Sequence, residues 1–139
     1  MRVLMDSSAL FKRYNQERGR EQLLRVTERA SELVIAAHCK AEVTSALCRQ
    51  RRDGGVSDED YARIMDVVKG DFQDFTVFAL DSRVENHAIV AMEGSRLCAM
   101  DALHIGTAKA AHVDLFVTAD KRQALAAQAA GLNTELIEA

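Results

Sequence analysis

Four acidic residues stand at matching places along the chain. Asp6 closes the apolar run Val3-Leu4-Met5, and Asp120 follows Leu115-Phe116-Val117-Thr118-Ala119. Asp101 opens the helical stretch Asp101-Ala102-Leu103-His104-Ile105, and Glu42 lies one turn into the helix after Leu33-Val34-Ile35-Ala36. If the apolar runs are parallel strands, these acids gather at one edge of one sheet. Carboxylates held together repel each other and resist desolvation, so such a group calls for protons or divalent cations. Hard oxygen donors of this kind suit Mg²⁺ or Mn²⁺ and not zinc. A site so built polarises a phosphoryl oxygen, activates water and, with paired ions, clamps the attacking and leaving oxygens. The chemistry implied is phosphodiester hydrolysis with no protein nucleophile.

Each acid also has a purely structural reading. Asp6 and Asp120 precede helices, where Asp is a favoured N-cap, and Ser7 and Ser8 are alternative caps. Asp101 too is a candidate cap, favoured by the helix dipole. However, Asp101, Ile105 and Ala108 follow i, i+4, i+7, which sets the acid on the inward stripe of its helix. Glu42 borders the apolar stripe of Cys39, Val43, Ala46 and Leu47, and a carboxylate there needs a partner. Arg49, two turns on, reaches it only through neighbours. Thr118 has a hydroxyl for a neighbouring carboxylate or a bound water. His104 follows Asp101 at a metal-pair spacing, but a lone His on an apolar face reads first as a packed or capping residue. Lys12, Arg13, Lys40, Arg49, Arg51, Arg52, Lys121 and Arg122 flank the acids in sequence and offer contacts to a phosphate backbone. Singly, each is also an ordinary surface charge.

The elements that must position these groups alternate. Short β-branched runs predict strands at about 2–5, 33–36, 76–80, 114–118 and 134–137. Helical periodicity predicts helices at about 7–16, 19–30, 38–52, 57–73, 82–93, 101–111 and 121–130. Gly54-Gly55 ends the Arg-rich helix, Ser57 with Asp60 resembles a capping box, and Gly131-Leu132-Asn133 stops the last helix. Strands alternating with helices give an α/β fold whose parallel sheet is covered on both faces. The helical hairpin 38–52 and 57–73 is the expected dimer or docking element. The 139 residues suit one domain with one core, and nearly half are hydrophobic. The apolar start is too short for a signal peptide and no run approaches a membrane span, so a soluble cytoplasmic protein is expected. Cys39, Cys48 and Cys98 form no C-x-x-C pair, and they read as small buried hydrophobes. Residues 1–52 hold 11 Lys/Arg against 6 Asp/Glu and the remainder 7 against 15, a basic half compatible with a polyanion partner.

The segments Met5-Asp6-Ser7-Ser8-Ala9-Leu10, Ala41-Glu42-Val43, Asp101-Ala102-Leu103-His104-Ile105-Gly106-Thr107-Ala108 and Phe116-Val117-Thr118-Ala119-Asp120-Lys121-Arg122 together resemble PIN-domain proteins. The likeness is greatest to the VapC toxins of bacterial toxin–antitoxin pairs, in order and spacing over the whole chain. The resemblance implies a three-layer α/β/α sandwich and a Mg²⁺- or Mn²⁺-dependent endoribonuclease. It places Asp6, Glu42 and Asp101 as the invariant acids and Asp120 as the more variable fourth, with Ser7 or Thr118 in support. It further implies a homodimer, held inactive by a small antitoxin that directs an Arg at the acids. A haloacid-dehalogenase phosphatase needs a second Asp where Ser8 stands, and a receiver domain needs an acidic pair that is missing. The competing class is a non-catalytic PIN-like module that binds RNA or protein.

Overall fold

A computed structural model describes residues 1–138. Strands β1 (Arg2–Met5), β2 (Glu32–Ala36), β3 (Thr76–Phe78), β4 (Leu115–Thr118) and β5 (Thr134–Leu136) form one parallel sheet in the order β3-β2-β1-β4-β5. Among the described residues seven helices lie between and beside them: α1 (Ser7–Tyr14), α2 (Arg20–Arg29), α3 (Cys39–Arg52), α4 (Asp58–Asp74), α5 (Ser82–Gly94), α6 (Ala99–Ala110) and α7 (Lys121–Ala129). Every expected element is present. The differences are at ends: β3 stops at Phe78, and α6 begins at Ala99 rather than at Asp101. Asp81 causes the first, because its carboxylate caps α5 through Arg83 N at 3.0 Å and Val84 N at 3.1 Å and turns the chain away.

The continuous run Val3-Leu4-Met5 is explained by burial on both faces. Val3 and Met5 pack with apolar residues of α1 to α4, while Leu4 packs with those of α5, α6 and α7. These are the two outer layers of an α/β/α sandwich. From β1 the chain steps outward to β2 and β3, then crosses to β4 on the other side of β1. The strand order therefore reverses between β1 and β4, and open α/β sheets bind ligands in the crevice at that point. No helix among the described residues is long and apolar enough to cross a membrane.

A polar tie joins α1 to α4. Asp71 accepts from Arg13 Nε at 2.7 Å and from Tyr14 OH at 2.8 Å. Burial first, then Asp71, pushes the Tyr14 phenol up, so it remains a donor. Tyr14→Phe is expected to cost about 1 kcal/mol, the net value of one such hydrogen bond, read as a lower urea midpoint with an unchanged slope.

Candidate active site

The carboxyl ends of β1 and β4 open into a cavity of about 420 Å³, and Asp6, Glu42, Asp101 and Asp120 all line it. Asp6 follows β1 and caps α1, with Oδ1 accepting from Ala9 N at 3.0 Å and from Ser8 Oγ at 2.7 Å. Its Oδ2 accepts from Thr118 Oγ1 at 2.5 Å. Asp6 is thus both cap and cavity wall. Burial pushes its carboxyl up, against the smaller opposing pull of His104, Thr118, Ala9 and Ser8.

Thr118 ends β4 fully buried and joins two of the acids: it donates to Asp6 and accepts from Asp120 N at 3.1 Å. Asp120 caps α7 through Arg122 N at 2.8 Å and Gln123 N at 3.3 Å, both on Oδ1. Ser8 braces the same junction by accepting from Ala119 N at 2.9 Å.

Glu42 in α3 finds partners that its sequence neighbourhood did not indicate. Its Oε1 accepts from Ser7 Oγ at 2.6 Å and pairs with His104 Nε2 at 2.8 Å, with His38 Nε2 at 3.5 Å. Burial pushes the Glu42 carboxyl up, but the His104 and Ser7 hydrogen bonds and the fields of His104 and His38 outweigh it. The carboxyl sits at about 2 instead of the ordinary 4.5. Arg49 lines the same cavity.

Asp101 is the third residue of α6, whose N-cap is Cys98. It is not the cap, and its helix phase turns it into the cavity as the i, i+4, i+7 spacing requires. The buried Gln123 donates from Nε2 to the Asp101 carbonyl at 2.9 Å and fixes the first turn of α6 against α7.

The four acids share the cavity more loosely than the sequence suggested. Among the described residues, the ligand atoms lying within 4.8 Å of one another belong to His38, Glu42 and His104, and to no three of the acids. Each fixed acid is held back by its own donors, and like charges gain by separation. The donor set nevertheless fits a hard divalent cation. Four carboxylates line one space, the hydrogen bonds to Glu42 all fall on Oε1, and the buried Asp6 carboxylate is held by hydroxyl and amide donors, with no Lys or Arg ion pair to it among the described residues. Asp6, Glu42, Asp101 and Asp120 are the groups that would hold such an ion.

The basic residues divide. Lys12 is buried, with Nζ on Glu17 Oε1 at 3.2 Å and the Arg18 carbonyl at 2.8 Å, so it is spent on closing the α1–α2 turn and corrects the expectation of an RNA contact. Arg13 is likewise committed to Asp71, away from the cavity. Lys40, Arg49, Lys121 and Arg122 remain exposed. His104, Ser8 and Gln123 were missed as parts of the site. Only the Asp101–His104 spacing hinted at the first.

The low Glu42 carboxyl carries a pH signature. A group held below its unfolded value stabilises the fold above that value and loses the contribution as pH falls. For Glu42 the window runs from 4.5 down to about 2. With its side chain 32% exposed, the discounted magnitude is about 1–2 kcal/mol. Raised Asp6 acts in the opposite sense, its ionised form costing stability above its folded value. In chelator-treated protein, Glu42→Gln is expected to flatten the fall in unfolding free energy between pH 5 and about pH 3, measured by urea titration.

The sequence pattern of the PIN domain family matches residues 3–129, and the chain belongs to that family. Solved structures share its fold. FitAcB from Neisseria gonorrhoeae superposes with a TM-score of 0.74 at 13% identity over 95% of each chain. VapBC2 from Rickettsia felis, bound to a DNA fragment from its promoter, gives 0.69 at 12% over 99% of this chain and 100% of that one. VapC20 from Mycobacterium tuberculosis, a sarcin–ricin loop cleaving toxin, gives 0.66 at 16% over 94% and 95%. By sequence, no curated protein matches the chain.

Proposed function

We propose that this protein is a divalent-cation-dependent endoribonuclease, the toxin of a VapC-type toxin–antitoxin pair. The observation that carries the proposal is the meeting of Asp6, Glu42, Asp101 and Asp120 on one cavity at the switch point of a PIN-domain sheet. When bound there, Mg²⁺ or Mn²⁺ supplies charge neutralisation at the phosphate and activation of a water. The chain itself supplies orientation. Ser8, Ala9 and Thr118 fix Asp6, Ser7 and His104 fix Glu42, and Arg49 lies where a phosphate would enter. Lys40, Lys121 and Arg122 are exposed and are proposed as further contacts to an RNA backbone outside the cavity, giving affinity without sequence choice.

Toxin–antitoxin assemblies among the structures of like fold support a small cognate antitoxin that covers the cavity in the resting cytoplasmic complex. The α3–α4 hairpin is the proposed contact for that partner or for a homodimer. The deciding experiment incubates purified, antitoxin-free protein with total cellular RNA. Discrete cleavage products with Mg²⁺ or Mn²⁺, abolished by EDTA, are expected. RNA that is bound but never cut would leave a non-catalytic binding module in place of this function.

A further inference from the structure

His104 lies one turn beyond Asp101 in α6 and is 1% exposed. Its Nε2 is 2.8 Å from Glu42 Oε1 and 3.2 Å from Ser7 Oγ. Ser7 Oγ gives its own hydrogen to the same Oε1 at 2.6 Å. A carboxylate oxygen only accepts, so Nε2 is the ring nitrogen that carries the hydrogen toward Glu42. On the far side of the ring, Nδ1 is buried and has no hydrogen-bond partner among the described residues. The imidazole is therefore set as a one-sided donor, and the His38 ring packs against it with centroids 4.3 Å apart.

We propose that His104 is a positioning residue for Glu42. With Ser7 it ties down Oε1 and so presents Oε2 to the cation, raising cation affinity while touching neither cation nor RNA; this rests on the metal-centre reading above. The nearness of His38, Glu42 and His104 also suggests a nitrogen-ligand site. The hydrogen bonding disfavours that. A ligand imidazole must present a bare Nε2, which moves the hydrogen to Nδ1, and ligating histidines give that hydrogen to an acceptor. Nδ1 has none in its buried setting. His38 Nε2 is moreover occupied by the Met100 carbonyl at 2.9 Å.

The test is Mn²⁺ affinity, measured by calorimetry on the purified full chain after chelator treatment. His104→Leu removes the donor, whereas His104→Gln keeps an amide N–H near the place of Nε2. His104→Leu is expected to weaken Mn²⁺ binding by about 10–100-fold, the usual effect of losing an outer partner of a ligand. His104→Gln should stay within about threefold of wild type by the same hydrogen-bond logic. In RNA cleavage, the loss in His104→Leu should be recovered as Mn²⁺ is raised, a shift that mere loosening of the core does not produce.

Unchanged Mn²⁺ affinity in His104→Leu overturns the proposal. Equal loss in both variants overturns it too, since a ligand nitrogen would then be what the site needs. Should His104→Leu not fold, the more accessible Ser7→Ala removes the other donor to Oε1. About tenfold weaker binding there supports the tie-down, and no change rejects it. A wild-type chain that binds no Mn²⁺ overturns the metal centre and the proposal with it, an outcome recognised because Asp101→Asn then changes nothing either.

Discussion

Asp101→Asn is expected to lower the rate of RNA cleavage by about 10³-fold, roughly 4 kcal/mol of transition-state stabilisation, with folded stability nearly untouched. Asn matches Asp in shape but lacks its charge, and charge sets the affinity of oxygen ligands for a hard cation. Asp101 is the cleanest of the four acids for this measurement. Asp6 and Asp120 are the N-caps of α1 and α7, so replacing either also removes a cap. Glu42 is woven into Ser7 and His104. At Asp101 the cap belongs to Cys98, and the tie from Gln123 goes to the main-chain carbonyl, which Asn retains. The remaining cost is the favourable pull of the helix N-terminus on a carboxylate, about 0.3–1 kcal/mol. Relief of repulsion from the other acids offsets part of it. A variant with a native circular dichroism spectrum that cuts RNA within tenfold of wild type would sink the assignment of Asp101.

The elements were legible because their signals are local. Val3-Leu4-Met5 and Phe116-Val117 read as buried strands, Ser57 and Gly131 mark helix ends, and all of these stand where expected. The start of α6 was misplaced because its cap is Cys98, which carries no recognisable capping side chain and makes no side-chain cap bond. Asp6 and Asp120 were legible because a parallel sheet delivers the carboxyl ends of β1 and β4 to one edge, whereas Glu42 and Asp101 were legible through the phase of their helices, α6 following α5 and no strand. Their spacing was not legible, because it is fixed by hydroxyl donors from other segments: Thr118 is 112 positions from Asp6. The same holds for His104, whose meaning comes from Glu42, 62 positions away. Lys12 looked like a free cation beside Arg13. Only the turn that brings Glu17 and the Arg18 carbonyl back onto it shows otherwise.

Gly106→Ala is expected to destabilise the protein by about 2–4 kcal/mol, a fall in Tm on the order of 10 °C. Two effects compete. Ala is the better helix former by about 1 kcal/mol. Against that, a Cβ at Gly106 meets the Val84 carbonyl oxygen closer than real contacts allow, the Ala88 nitrogen at 3.0 Å and the Ala88 Cβ at 3.2 Å. Two of these three are backbone atoms of α5, which no rotamer change removes, so α5 and α6 must part or slide. The steric cost therefore exceeds the propensity gain. Gly70, exposed in α4 with nothing within 4 Å of its would-be Cβ, isolates the propensity effect. Gly70→Ala should stabilise by about 0.5–1 kcal/mol. The consequence reaches the site because α6 carries both Asp101 and His104. A slide of α6 displaces these two against Asp6 and Glu42, and displacements of about 1 Å cost catalysis on the order of 10²-fold. At a temperature where Gly106→Ala is still folded, its RNA cleavage should therefore fall further than its stability explains. Chemical denaturation and single-turnover cleavage measured together decide this. A Gly106→Ala protein as stable as Gly70→Ala would show that the two helices have room the geometry denies them.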